Sequence, residues 1–105
     1  MPMEISVGEV ARKIKEKEKF ILLDIREDWE REICKIQGDL HIKMNEILAK
    51  MDEISRDKEI IVYCHSGNRS MHVARYMAAH GFDAKSMEGG IDEWAHVIDK
   101  SMRTY

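Results

Sequence analysis

Two apolar runs without alternation, FILLDI (20–25) and IIVYC (60–64), stand out in a chain whose other apolar positions recur at helical spacing. Such runs predict strands buried on both faces. Ser6 and Glu9 have capping-box spacing, and Val7, Val10, Ala11 and Ile14 follow at helical period, so a helix is predicted to start after Ser6. The charged run KIKEKEK closes it as a solvated face. REDWEREI predicts a short helix, Gly38 a turn, and Leu40 with Ile42 a brief apolar piece, after which Met44, Leu48 and Met51 outline another helix. Beyond the second strand, Val73, Ala74, Met77 and Ala78 share one helical face, and Gly81 stands at the C′ position where helices end. A weak strand near Ala84–Met87, the Gly89-Gly90 pair and a helix with Ile91, Trp94, Ala95 and Ile98 on one side complete the pattern.

Strands alternating with helices of about ten residues imply right-handed crossovers and a parallel sheet. The expected class is α/β: a central, mostly parallel sheet of about five short strands, flanked by helices on both faces. No repeat or linker divides residues 1–105, which read as a single domain. In open sheets of this kind, functional sites collect at the carboxyl ends of the strands. Cys64 stands at one of them.

Composition removes several classes of function. Net charge is −3 with both signs interspersed and only 7% aromatic residues, which offers neither the basic stripe nor the stacking platform of a nucleic-acid binder. The start lacks an apolar h-region and no segment reaches membrane-spanning length, so a cytoplasmic protein with no membrane partner is the expectation. Two cysteines, Cys34 and Cys64, cannot make a disulfide framework and form no CxxC pair. Both are expected as thiols.

The segment CHSGNRS (64–70) bridges the second strand and the following helix. A short loop closing on a helix N-terminus turns several N–H groups toward one point and makes an anion nest. Gly67 supplies the positive φ such a curl needs. The same field stabilises a thiolate, so Cys64 should be nucleophilic near neutral pH. Arg69 adds a planar cation suited to oxyanions. Nucleophile and cradle come from one loop, an arrangement that suits an anionic substrate attacked by sulfur. The opposing reading of Cys64 is a small hydrophobe ending a core strand. The Gly, Arg and Ser at these offsets weigh against it.

These residues resemble the active-site loop of rhodanese-type sulfurtransferases, Cys-x-x-Gly-x-Arg followed by Ser or Ala. LLDIRE (22–27) looks like that family's first buried strand with its Asp-x-Arg ending, and MEGGIDEW (87–94) like its closing Gly-Gly-x-x-x-Trp segment. The resemblance runs from about Ile5 to Trp94. In EREICKIQGD (30–39), Glu30, Ile36 and Gly38 agree with the family, while the usual His and Pro positions hold Lys35 and Gln37, and a later proline position holds Lys43. The resemblance implies sulfur transfer through a persulfide on Cys64, from a small anionic donor such as thiosulfate to cyanide, a small thiol or a protein thiol, with no cofactor. It also implies that the backbone N–H groups of the loop hold the anion.

The remaining residues carry two readings each. His65 either contacts an anionic substrate or is an exposed loop residue; Ser66 and Asn68 are expected to act through their N–H groups. Ser70 is read as a helix cap before a donor to sulfur. Asp24 and Arg26 end a strand on the same side of the sheet as Cys64, where they orient the site or, as the preferred reading, brace neighbouring loops as an ion pair. Five histidines lack an HxxxH or CxxC companion, so no metal site is expected. Cys34 is read as a packed thiol rather than a sulfur acceptor, Trp94 as a buried anchor and Trp29 as partly exposed. Two rival functions share the loop chemistry. A cysteine phosphatase or arsenate reductase needs a longer loop than the four residues between Cys64 and Arg69. A rhodanese-like delivery or binding module working with a protein partner would need the same loop.

Overall fold

Strands β2 (Phe20–Asp24) and β4 (Glu59–Tyr63) pair in parallel at the centre of the sheet, with Leu22 opposite Ile61 and Leu23 opposite Val62. The structure, a computed structural model, describes residues 3–105; the chain's one proline, Pro2, lies outside them. Three further strands, β1 (Glu4–Ile5), β3 (Leu40–His41) and β5 (Asp83–Met87), complete a five-stranded sheet in the order β1-β5-β4-β2-β3. Every pairing is parallel. The α/β expectation holds. β1 has no counterpart in the sequence reading, because its two residues are too few to show a period.

Side-chain alternation along the central strands divides the core. Leu23, Ile25, Ile60, Val62 and Cys64 face α4 (Asn68–Ala79), through Val73, Ala74 and Met77, and the segment carrying Ile47 and Met51. Leu22, Ile61 and Tyr63 face α1 (Val7–Lys15) and α5 (Gly90–Val97), through Val7, Val10, Ile91 and Trp94. Helix α2 (Asp28–Ile33) follows at the carboxyl end of β2. Ser6 caps α1 by accepting from the Glu9 N–H at 3.2 Å, but the Glu9 carboxylate turns to Arg12 instead of closing the capping box.

The helix expected from Met44, Leu48 and Met51 is broken. A short α3 (Ile47–Lys50) sits between two 3-10 turns, Met44–Glu46 and Met51–Glu53. Tightening from 3.6 to three residues per turn rotates the buried face. Ile47 is therefore buried and Leu48 is 73% exposed. Trp94 is buried as expected, and Trp29 is 57% exposed.

Candidate active site

Cys64 follows the last residue of β4, and α4 begins four residues later with Gly67 as its N-cap at φ +107°. The intervening loop curls around the sulfur. The Gly67 N–H donates to Cys64 Sγ at 3.2 Å and the Ser70 N–H at 3.3 Å. Ser70 Oγ lies 3.3 Å from the same sulfur, within reach of the thiol proton, and 2.7 Å from Ser86 Oγ of β5. Among the described residues, the N–H groups of His65, Ser66, Asn68 and Arg69 donate to no protein acceptor. They are the surplus donors that a helix N-terminus and the loop before it offer to an anion.

Ser70 thus does not cap the helix. It occupies the third helical position, buried, and its hydroxyl sits between sulfur, the Gly67 carbonyl at 3.2 Å and Ser86. The cap expected of Ser70 is supplied by Gly67, because only a residue at ease with positive φ fits the curl.

The loop is also fastened from its carbonyl side. At the start of α5, the Ile91 N–H donates to the Cys64 carbonyl at 2.9 Å and the Asp92 N–H to the His65 carbonyl at 3.0 Å. This approach requires Gly90, at φ +62°. A Cβ there would stand 2.4 Å from the His65 carbonyl oxygen and 2.6 Å from that of Cys64. The Gly-Gly pair read from the sequence as a turn and a rim is therefore also a docking surface for the nucleophile loop.

Arg69 does not stand free over the cradle. Its two terminal nitrogens donate to the two oxygens of Glu30, each at 2.8 Å. Glu30 is buried, and its carboxylate also accepts from the Glu27 N–H at 3.0 Å and from the Tyr105 hydroxyl at 2.5 Å. Burial pushes the Glu30 carboxyl up, but these donors, Arg69 first, more than offset it and bring it down to about 2. Cys64 lies close enough to add its own field to that of Glu30 at the Arg69 guanidinium.

Asp24 and Arg26 share the carboxyl edge with Cys64 but not its face of the sheet. Strand alternation places them with Leu22 and Tyr63, so the side expected for them is corrected to the opposite one. Both are fully buried, paired through Arg26 Nε and Asp24 Oδ1 at 2.9 Å. Arg26 also donates to the Cys34 carbonyl at 2.8 Å, the Glu30 carbonyl at 3.4 Å and the Tyr105 hydroxyl at 3.0 Å, while Asp24 accepts from Arg31 at 2.8 Å. No contact of theirs reaches the sulfur; they tie together the elements around it.

His65 is partly buried, with its ring stacked on Tyr105 at 4.0 Å between centroids and 14° between planes. Its Nε2 is buried without a partner among the described residues. Cys34 is half-buried, and burial pushes its thiol up, which leaves it protonated at neutral pH. Among the described residues no group of three His, Cys, Asp or Glu side chains is disposed to hold a metal ion.

The sequence reading gave no role to Glu30, Ser86 or Tyr105. Glu30 had a signal, its agreement with the family pattern; Ser86 and Tyr105 had none, since neither belongs to a motif.

The family model for the rhodanese-like domain matches residues 6–96. The chain belongs to that family. Among its relatives, the rhodanese-like chain is 40% identical over 91 residues to YtwF of Bacillus subtilis, provisionally named a sulfurtransferase; the match covers 87% of this chain and 88% of the relative. It is 31% identical over 96 residues to a protein of Allochromatium vinosum named a sulfurtransferase, covering 90% of each. A rhodanese-like domain protein from Staphylococcus aureus superposes with a TM-score of 0.85 at 27% identity, covering 100% of this chain and 99% of its own. Sulfur transfer in general is the activity this kinship supports. No helix of the rhodanese-like chain, over the described residues, is long and apolar enough to cross a membrane.

Proposed function

We propose that this chain, acting as one domain in a reducing cytoplasmic compartment, moves a sulfane sulfur from thiosulfate or a related donor to a nucleophilic acceptor through a persulfide on Cys64. The observation that carries the reading is the sulfur held at 3.2 and 3.3 Å from two converging N–H groups, with four more loop N–H groups left without a protein acceptor. The Cys64 thiolate attacks the outer sulfur of thiosulfate. The new S–S bond forms as the old one breaks, and sulfite leaves with the electron pair. The donor groups of the loop hold the departing oxyanion and then the terminal sulfur of the persulfide. An acceptor nucleophile, cyanide or a thiolate, attacks that terminal sulfur and returns Cys64 to the thiolate. The two half-reactions predict ping-pong kinetics.

The loop length supports sulfur over phosphorus as the element attacked, since four residues between Cys64 and Arg69 make a small cradle. A second reading, delivery to or from a protein thiol, is favoured by a specific feature. Arg69 is committed to Glu30, so a free dianion meets backbone dipoles without an unpaired guanidinium. Slow turnover on thiosulfate with fast discharge to a protein thiol would express that design.

Intact-protein mass spectrometry after thiosulfate, and again after cyanide, tests the proposal. One added sulfur on Cys64, removed by cyanide and absent in Cys64→Ser, is the expected result. Unmodified Cys64 with thiosulfate and with small organic persulfides would sink it.

A further inference from the structure

The residue of greatest interest outside the loop is Tyr105, brought to the site by the segment that follows α5. Its side chain makes four contacts at once. The ring stacks on His65, the neighbour of the nucleophile, at 4.0 Å, and meets Trp29 edge-on at 5.8 Å. The hydroxyl donates to Glu30 Oε2 at 2.5 Å and accepts from Arg26 Nη1 at 3.0 Å. Glu30 in turn holds both terminal nitrogens of Arg69. Burial, and then Glu30 beside it, push the phenol well above its ordinary range, so it remains a proton donor at neutral pH.

We propose that Tyr105 is a positioning residue of the Cys64 site, holding both flanks of the nucleophile loop: His65 directly, by stacking, and Arg69 through Glu30. The segment from one flank to the other carries the N–H groups of the cradle but one, that of Ser70, which follows Arg69 directly. Fixing its two ends keeps the Gly67 and Ser70 N–H groups aimed at sulfur and the others aimed at the space above it. The stack also covers His65 Nε2, which finds no partner of its own. An aromatic face is therefore what keeps the imidazole in place, in a position where no hydrogen bond does so. The inference rests on Cys64 being the reactive group of the proposed sulfur transfer, and it adds a residue outside the segment that carries the family motifs.

The test reads the field around the sulfur without requiring sulfur transfer. Wild type, Tyr105→Phe, Tyr105→Leu and Tyr105→Ala are alkylated with iodoacetate and separately with iodoacetamide, and the rate at Cys64 is followed by peptide mass spectrometry. The ratio of the two rates cancels thiolate fraction and general exposure, leaving the preference of the cradle for an anion. That ratio should fall about fivefold in Tyr105→Ala and Tyr105→Leu, the equivalent of one hydrogen bond of ordinary net strength. Tyr105→Phe, which keeps the stack and loses the hydroxyl, should retain part of the preference. If Tyr105→Ala does not fold, Tyr105→Leu carries the same readout with most of the bulk retained. A ratio unchanged in the leucine and alanine variants, whatever their melting temperatures, would reduce Tyr105 to packing and overturn the proposal. Absence of a persulfide in wild type alongside a lowered ratio in the variants would instead remove the sulfur-transfer reading and leave the positioning role standing.

Discussion

Arg69 and Glu30 meet fork to fork, with two bonds of 2.8 Å between a carboxylate on the buried side of α2 and a guanidinium at the second position of α4. The pair joins helices that are far apart in sequence at the mouth of one loop. It also means that the cation closest to the nucleophile in sequence is already partnered. Breaking it should cost about 2 kcal/mol, less than a fully buried pair because Arg69 remains 36% exposed.

Acid should expose this pair's contribution. The Glu30 carboxyl in the folded chain lies at about 2, below its ordinary 4.5, so the unfolded chain binds more protons between those values. The stabilisation is complete above about 4.5 and is lost as pH falls toward 2. Urea unfolding at pH 7, 4 and 3 should show wild type losing more stability than Glu30→Gln over that interval. Parallel losses in the two proteins would remove Glu30 as the source.

Arg69→Lys and Arg69→Ala separate charge from fork geometry. Alanine leaves Glu30 buried with two fewer donors, so its melting temperature should fall more than that of lysine. Steady-state kinetics with thiosulfate should show a raised KM in both. Unchanged KM in alanine would restrict Arg69 to bracing.

Ser70→Ala removes the hydroxyl that lies between Cys64 Sγ and Ser86 Oγ. It also leaves the buried Ser86 hydroxyl short of a partner, at a cost of about 1 kcal/mol. Persulfide formation should slow by about tenfold or more, in the manner of a lost oxyanion donor. Stopped-flow loss of thiolate absorbance on mixing with thiosulfate measures it; wild-type rates would leave the cradle to its backbone N–H donors alone.

Gly90→Ala places a methyl group against the Cys64 and His65 carbonyls, at distances no neighbour can relieve without moving the loop. It should destabilise by roughly 3 kcal/mol and abolish alkylation selectivity at Cys64. Chemical denaturation and peptide mapping check both. A variant of wild-type stability would mean that α5 can retreat.

Much of this was legible in the chain, and the parts that were not have common physical causes. FILLDI and IIVYC announced the central strands because burial on both faces removes polar residues from a run. CHSGNRS announced the loop because the curl needs glycine and the sulfur needs N–H donors. The face of the Met44–Met51 segment was misread because a period of 3.6 was assumed where tighter turns intervene. Ser70 looked like a cap because serine prefers caps, yet proximity to the sulfur decided its place. Glu30 sits among charges in REDWEREI, which reads as a short helix and says nothing of which face is buried. Its burial follows from Arg69, 39 residues further on, and no local pattern reports a partner at that distance. Tyr105 comes from a polar stretch beyond the last apolar period, where only the folded chain shows what it touches.

The two bonds from α5 to the Cys64 and His65 carbonyls have a further consequence, for motion. Loops at strand ends ordinarily fluctuate more than the elements they connect. This one is gripped by α4 through its sulfur and by α5 through its backbone, and both helices are packed on the sheet. The Gly67 and Ser70 amide hydrogens, held on the sulfur, should exchange with solvent on the timescale of sub-global opening of the sheet, while the loop amides without an acceptor exchange fast. The reactive sulfur then moves with the amplitude of the core, and arriving molecules meet a fixed target instead of shaping one.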